Sequence, residues 1–448
     1  MRTKKQASFA RSREGAAVEA SASVTDVVGV GFGPANLALA IALRELGAGP
    51  PGGDGLTAAF LEAQPQFGWH SGMLIEDSTM QVSFLKDLVT PRNPVSPFSF
   101  VAYLHAVGRL GRFMDSKMMY PLRIEFHNYL EWVAGHFANQ VAYSSRVTAL
   151  QPVHGQDGVE ALDVVARDAD GTERVLRARS VVLACGLRPR LPEGLTGSDR
   201  VWHTADLLPR ARGLLESGAA PTSFVVLGAG QSSAEAAHYL HRTFTRSSVS
   251  VVHSRYGFSV SDDSPFANAV FGAKAVDEFY GAPDEVKRMV LDYHANTNYA
   301  VVDEDLIHRL YGDVYRESLT GDDRLRFHHL SRLSSVTPGE DAVRVEVEAL
   351  HDGRRTVIDA DALVCATGYR PSDPADLMGD LLPLCARDEQ DRLVLDRDRR
   401  LVTGEPLAGG VYVTGYGEHT HGIAESLLSL TAQRAGELTE ALAKTFVT

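Results

Sequence analysis

Two stretches of this chain repeat one pattern of apolar and polar positions. Residues 26–47 read DVVGVGFGPANLALAIALRELG, and residues 223–242 read SFVVLGAGQSSAEAAHYLHR. In each, a short apolar run of β character meets a glycine turn, then an Ala- and Leu-rich stretch at helical spacing. Elsewhere, VTALQPV (147–153) and LDVVARD (162–168) alternate as antiparallel strands do, and RVEVEAL (344–350) with TVIDADA (356–362) predicts a second pair turned by DGRR. A further β run ends at DALVCATGYRP (361–371). GGVYVTGYGEHTHG (409–422) predicts a strand and loop, and residues 424–445 a long amphipathic helix. The order predicts an α/β chain of two Rossmann-like dinucleotide-binding domains, the second inserted in the first. Their expected limits are 24–215 with 357–448 for the outer domain, 216–356 for the insertion, and 1–23 for a disordered basic tail.

The first glycine turn, Gly29-Val30-Gly31-Phe32-Gly33-Pro34, nearly matches GxGxxG. Its first glycine permits the tight turn, and its second lets backbone N–H groups approach a pyrophosphate at a helix N-terminus. Pro34 stands at a first helical turn, where proline is at home. The next β run ends at Glu62, and a carboxylate there suits a ribose hydroxyl. The second turn, Gly228-Ala229-Gly230-Gln231-Ser232-Ser233, has the same context, but its following strand ends at His253 and Arg255 without a carboxylate. Arginine pairs with a 2′-phosphate that a carboxylate would repel, so this site reads as NADPH. FAD at the first site and NADPH in the insertion is then the economical assignment.

Composition narrows the class. The 448 residues are 44% hydrophobic and 23% charged, as in soluble globular proteins, and the net charge of −13 gives no support to nucleic-acid or anionic-membrane binding. Cys185, Cys365 and Cys385 form no CxxC pair, which removes the disulfide reductases and suits a reducing, cytoplasmic setting. No His/Cys cluster predicts a metal. One segment stays open on these grounds: in MQVSFLKDLVTPRNP (80–94), Lys86 interrupts an apolar run. It is either a snorkelling side chain or a fixed cation awaiting an anion.

GVGFGPANLALA (29–40), FGWHSGMLIEDSTMQVSFLKDLVT (67–90), SDDSPFAN (261–268), NTNY (296–299), DALVCATGY (361–369) and HGIAESLLS (421–429) together resemble the lysine/ornithine N-monooxygenase family of N-hydroxylating flavin enzymes. SDDSPF followed by NTNY carries more of the resemblance than the glycine turns do. The resemblance implies a small substrate-binding region made from segment 80–94 and loop 261–300. It implies FAD contacts from Glu62, Trp69, His70 and Gln81, and NADPH contacts from Gly228, Gly230, Gln231, Ser232, Arg255 and Tyr299. Lys86 then holds the substrate α-carboxylate, Asn268, Asn298 and Ser426 line the amino-acid site, and Gln81 and Asn298 stand at the reacting centre. Where many relatives read HGLSD this chain reads His421-Gly422-Ile423-Ala424-Glu425.

The implied reaction is transfer of hydride from NADPH to FAD, addition of O₂ as a C4a-hydroperoxyflavin, and hydroxylation of a side-chain amine. PLRIEFHNYLEW (121–132) and SDDSPFAN look most like the ornithine branch, which makes L-ornithine the expected substrate and N5-hydroxy-L-ornithine the product, for siderophore or related hydroxamate biosynthesis. L-Lysine or a diamine is the alternative substrate, and a non-catalytic flavin-binding redox sensor the alternative of another class. The family also implies a homotetramer built as a dimer of dimers.

Overall fold

The computed structural model describes residues 24–47, 55–156, 158–262, 264–298 and 301–447, with the backbone alone for 295–298 and 447. The expected tail 1–23 and most of the loop after the first helix lie outside the described residues. Strands Thr25–Val30, Ala58–Leu61, the C-terminal half of Glu173–Leu183, and Gly410–Val413 run parallel, with Val141–Ala142 at the edge. Glu173–Leu183 belongs to two patterns. Its second half pairs with Thr25–Val30 and Gly410–Val413, while its first half pairs antiparallel with Val159–Asp168, which pairs in turn with Ser145–His154. The alternation at 147–153 and 162–168 thus produces the meander it predicts.

The helix Pro34–Gly47 is apolar on nearly every face, and Leu37, Ala38, Leu39, Ala40, Ile41, Ala42 and Leu43 are all buried. A helix of that kind must be covered on both sides. The sheet covers one, and the C-terminal helix Thr431–Val447 packs against it through Leu438, Ala441 and Leu442.

The second sheet is wholly parallel, in the order Leu325–His328, Ser248–Val252, Ser223–Leu227, Ala362–Cys365, Val201–His203. Two of its strands, Val201–His203 and Ala362–Cys365, come from beyond the expected limits of 216 and 356. The ribbon of Leu187–Pro189 against Tyr369–Pro371 marks where the chain passes between the sheets. Short apolar runs carry no mark of which sheet they will join, so those limits were not readable from pattern. The hairpin Val343–Ala349 with Arg355–Ala360 forms as expected and gains a third strand, Ser331–Pro338. Among the described residues no helix is long and apolar enough to cross a membrane, and no cluster of ligands could hold a metal ion.

The C-terminal helix differs from expectation. Residues 423–426 and 428–430 are single 3₁₀ turns, Leu427 between them is extended, and the helix starts at Thr431. Glu425 is turned inward to meet two buried arginines, and the guanidinium of Arg434 takes up the carbonyls of Ala424, Glu425 and Leu427. Those carbonyls are thereby satisfied without a helix.

Candidate active site

At the first turn, Gly31 has φ +84, and a Cβ there would lie 2.4 Å from the Ala184 carbonyl oxygen; a Cβ on Gly29 would lie 2.3 Å from the Phe60 ring. Around Gly33 nothing lies within 4 Å, so the third glycine leaves open the space before the helix that begins at Pro34. Asn36 closes the turn by donating to the Gly31 carbonyl at 2.6 Å. Glu62 follows strand Ala58–Leu61 and is buried against this turn: Oε2 accepts from the Phe32 N–H at 2.7 Å and Oε1 from the Gln64 N–H at 2.8 Å. Close-packed glycines, an open helix N-terminus and a carboxylate beside it fit the adenosine diphosphate half of FAD.

The second turn is built alike. Gly228 has φ +147 and would place a Cβ 2.5 Å from the Ala366 carbonyl oxygen. Gly230 starts the helix Gln231–Thr243 with no side-chain cap, and Ser232 is half-buried beside it. His253 turns into the core, its Nδ1 2.8 Å from the Arg255 carbonyl, and burial lowers its pKa. Arg255, half-exposed, follows shortly after the end of strand Ser248–Val252. The set fits NADPH.

At the start of the helix after the second turn lies a polar network. Gln81 donates from Nε2 to Asp303 Oδ1 at 3.1 Å, and Gln231 donates from Nε2 to Asp303 Oδ2 at 2.8 Å. The Asp303 N–H returns a bond to Gln231 Oε1 at 2.9 Å. Gln231 also donates to Glu235 Oε1 at 3.0 Å. The Glu235 carboxylate is held by both terminal nitrogens of Arg123, at 2.7 and 2.8 Å, and Arg123 further donates to the carbonyls of Met73 and Thr79. A residue expected at the flavin and one expected at NADPH therefore share a carboxylate. Burial raises the Asp303 pKa, the amide of Gln81 opposes that, Glu235 adds to it, and Arg123 with Gln231 lowers it.

Trp69 is half-buried and its ring meets that of His70 edge-on at 4.5 Å; His70, with φ 52, also faces Tyr369 at 6.3 Å. Desolvation by the surrounding protein and then the Arg123 charge push the pKa of His70 down to about 4. An imidazole that is mostly neutral at pH 7 stays so.

Lys86 sits on a turn held by the carboxylate that follows it. Asp87, 2% exposed, accepts from the N–H groups of Val89, Thr90 and Phe100 and from the Thr90 hydroxyl, while Leu88 and Val89 enter the core. The acid next door is thus spent on the backbone. Lys86 is half-buried and has no ion-pair partner among the described residues.

Asn268 lies in the 3₁₀ turn Ala267–Phe271, which packs on the turn Ile423–Ser426, so Asn268 and Ser426 belong to neighbouring turns. The helices Ala273–Gly281 and Asp284–Asn298 enclose, with His421–Ile423, a mostly apolar cavity of about 250 Å³. Asn298 ends the second of these helices, and only its backbone is described; Tyr299 lies outside the described residues. Sequence reasoning missed Asp303, Arg123 and Glu235, and the buried set Arg399, Glu425 and Arg434. Arg123 and Glu235 are 112 positions apart, and no local pattern joins them. An Asp directly before Glu304-Asp305 reads as an ordinary helix cap, yet its side chain does not cap.

The fold and the two turns define a dinucleotide-dependent oxidoreductase in which one bound nucleotide can reduce another. Residues 23–371 match the family model of L-lysine 6-monooxygenase/L-ornithine 5-monooxygenase. The chain is 37% identical over 427 residues to an L-ornithine N(5)-monooxygenase of Pseudomonas aeruginosa, covering 94% of both chains. Among solved structures it is similar to the ornithine N-hydroxylase of Kutzneria sp. 744, determined with reduced FAD, NADP⁺ and L-ornithine. The TM-score is 0.88 at 41% identity, over 94% of this chain and 99% of that one. An L-lysine 6-monooxygenase of Pseudomonas syringae gives 0.82 at 32% identity, over 94% and 99%. The chain belongs to the L-lysine 6-monooxygenase/L-ornithine 5-monooxygenase family.

Proposed function

We propose that the chain is an NADPH- and FAD-dependent L-ornithine N5-monooxygenase, making N5-hydroxy-L-ornithine for a siderophore or related hydroxamate. The observation that carries this is the likeness, over 94% of the chain, to an ornithine N-hydroxylase whose structure holds FAD, NADP⁺ and L-ornithine. The lysine enzyme is less similar on both measures. When bound, NADPH supplies the hydride, and FAD activates O₂ toward the amine.

The chain's own residues have two tasks. Lys86 receives the α-carboxylate, which favours an amino acid over a bare diamine. Asn268, Asn298 and Ser426 line the rest of the amino acid. The nucleophile must be the neutral amine, and an alkylammonium of pKa near 10.4 costs roughly 4–5 kcal/mol to neutralise at pH 7. Neutral amides near it lower that cost, whereas a carboxylate would raise it. We read Gln81, with Trp69 and His70, as the flavin-side wall.

Hydroxylamine formation from ornithine, lysine, putrescine and cadaverine, with H₂O₂ recorded in parallel, tests the substrate. Ornithine gives the highest yield of product per NADPH; product from ornithine no greater than the peroxide background would sink the reading. A second prediction concerns the reductant. Arg255→Ala will raise the KM for NADPH about 10-fold or more through loss of a charge-assisted bond worth about 1.5–3 kcal/mol, while the KM for NADH stays put. An unchanged NADPH/NADH preference would place the phosphate contact elsewhere. The same reading puts the enzyme in the cytoplasm as a dimer of dimers, which light scattering checks.

A further inference from the structure

We propose that Asp303 is a positioning residue that sets the register between the flavin side and the NADPH side of the site. It rests on the reading above that Gln81 faces FAD and Gln231 faces NADPH. Its two carboxylate oxygens are divided between the glutamines, Oδ1 to Gln81 at 3.1 Å and Oδ2 to Gln231 at 2.8 Å. The glutamines come from parts of the chain that build different sheets. Gln81 follows Met80, which packs in the core beneath the first sheet, and Gln231 is the first residue of the helix after the second glycine turn.

Three details distinguish this arrangement from an ordinary helix cap. Asp303 occupies the N-cap of the helix Glu304–Thr320 with extended backbone, φ −60 and ψ 135, yet its side chain makes no capping bond. The cap acceptor, which ordinarily stabilises a helix start, is given up for the two amides. Gln231 is bound at both ends of its amide, because the Asp303 N–H donates to its Oε1 at 2.9 Å. That fixes which way the amide points. Finally, Asp303 follows the NTNY segment by four residues, so the same short stretch that carries Asn298 also carries the clamp.

The consequence is geometric. Gln231 is held from behind by Glu235, and Glu235 by the bidentate Arg123, whose other bonds reach Met73 and Thr79. Arg123 and Glu235 thus tie the domains together at large, and Asp303 aligns the two amides nearest the reacting groups. Hydride transfer is steeply sensitive to such alignment, since an error of about 1 Å can cost on the order of 100-fold in rate.

The test is anaerobic stopped-flow reduction of the holoenzyme flavin by NADPH, with flavin content and melting temperature measured on each variant. Asp303→Ala is expected to slow reduction 10- to 100-fold and to raise the H₂O₂ released per NADPH, with the flavin content kept. Asp303→Asn keeps the acceptor for Gln231 but turns an NH₂ group toward Gln81, whose amide must invert to pair with it, so reduction is expected to slow by more than about threefold yet less than in Asp303→Ala. Gln81→Ala slows reduction, and added to Asp303→Ala it costs less than the two single losses multiplied. Parent-like reduction in Asp303→Ala overturns the proposal, as does full multiplicativity in the pair. If Asp303→Ala loses its flavin or melts early, the near-isosteric Asp303→Asn decides: slowed reduction with flavin content and melting temperature at parent values supports the proposal, and parent-like reduction overturns it. A parent enzyme that NADPH cannot reduce would overturn the functional reading itself, which separates the two failures.

Discussion

Glu425→Ala will lower the free energy of unfolding by about 3–5 kcal/mol, the cost of breaking a buried ion pair by removing one partner. Glu425 and Arg399 are each 2% exposed and Arg434 is 5% exposed. Glu425 Oε2 lies 3.0 Å from Arg399 Nε and 3.4 Å from Arg434, and its other oxygen accepts from the Gly415 N–H at 3.1 Å. Arg399 keeps a second partner in Glu437, at 2.8 Å, but Arg434 is left with carbonyls and a hydroxyl. Alanine would therefore strand a charge where water cannot reach it. Gly415 follows the strand Gly410–Val413, which joins the first sheet through Glu173–Leu183, the neighbour of the strand that leads into the first glycine turn, so the flavin content of the variant should fall along with its stability. Urea unfolding followed by tryptophan fluorescence measures the loss, and a change below about 1 kcal/mol would contradict the assignment.

The same carboxylate predicts how stability depends on acid. Burial alone would push its pKa up, but Arg434 first, then Arg399, and then His421 pull it down to about 2 from 4.5. A depressed folded-state pKa means that the unfolded chain takes up the proton first. The contribution is thus fully present above about pH 4.5 and is lost as pH falls toward 2. The shift corresponds to something on the order of 3 kcal/mol. His421 works in the same direction below its own range: burial and Arg399 lower it to about 4, so it must charge against its surroundings in acid.

Both nucleotide turns were readable from residues alone, because each is local: strand, glycines and helix follow one another within about twenty positions. The carboxylate at Glu62 and its absence after Val252 were readable for the same reason. What pattern could not show is long-range. Asp303 draws its meaning from Gln81, 222 positions away, and Arg399 from Glu425 and Arg434 across a turn that pattern reads as helix. A charged residue within an apolar stretch shows that a partner is needed, not where it lies. Lys86 is the contrasting case. Its acidic neighbour is engaged by backbone N–H groups and the Thr90 hydroxyl, and among the described residues none forms an ion pair with it, which leaves its ammonium available for the anchoring role proposed above.

Lys86→Ala will accordingly raise the KM for L-ornithine about 10- to 150-fold, the range that follows from losing one charge-assisted bond of about 1.5–3 kcal/mol. The turn beneath it is held by Asp87 with Val89, Thr90 and Phe100, none of which the substitution touches, so flavin content and melting temperature should stay at parent values. Flavin reduction by NADPH should persist. Oxygen will still be consumed, and because the amine is no longer held in place, a larger share of the NADPH oxidised will end as H₂O₂. The preference for ornithine over putrescine separates anchoring from a general weakening of the pocket. The two amines differ by the α-carboxylate, so removing its partner should bring their kcat/KM values together by the factor lost from ornithine. If both amines weaken alike, Lys86 shapes the pocket without reading the carboxylate, and if the flavin is lost, the lysine is structural.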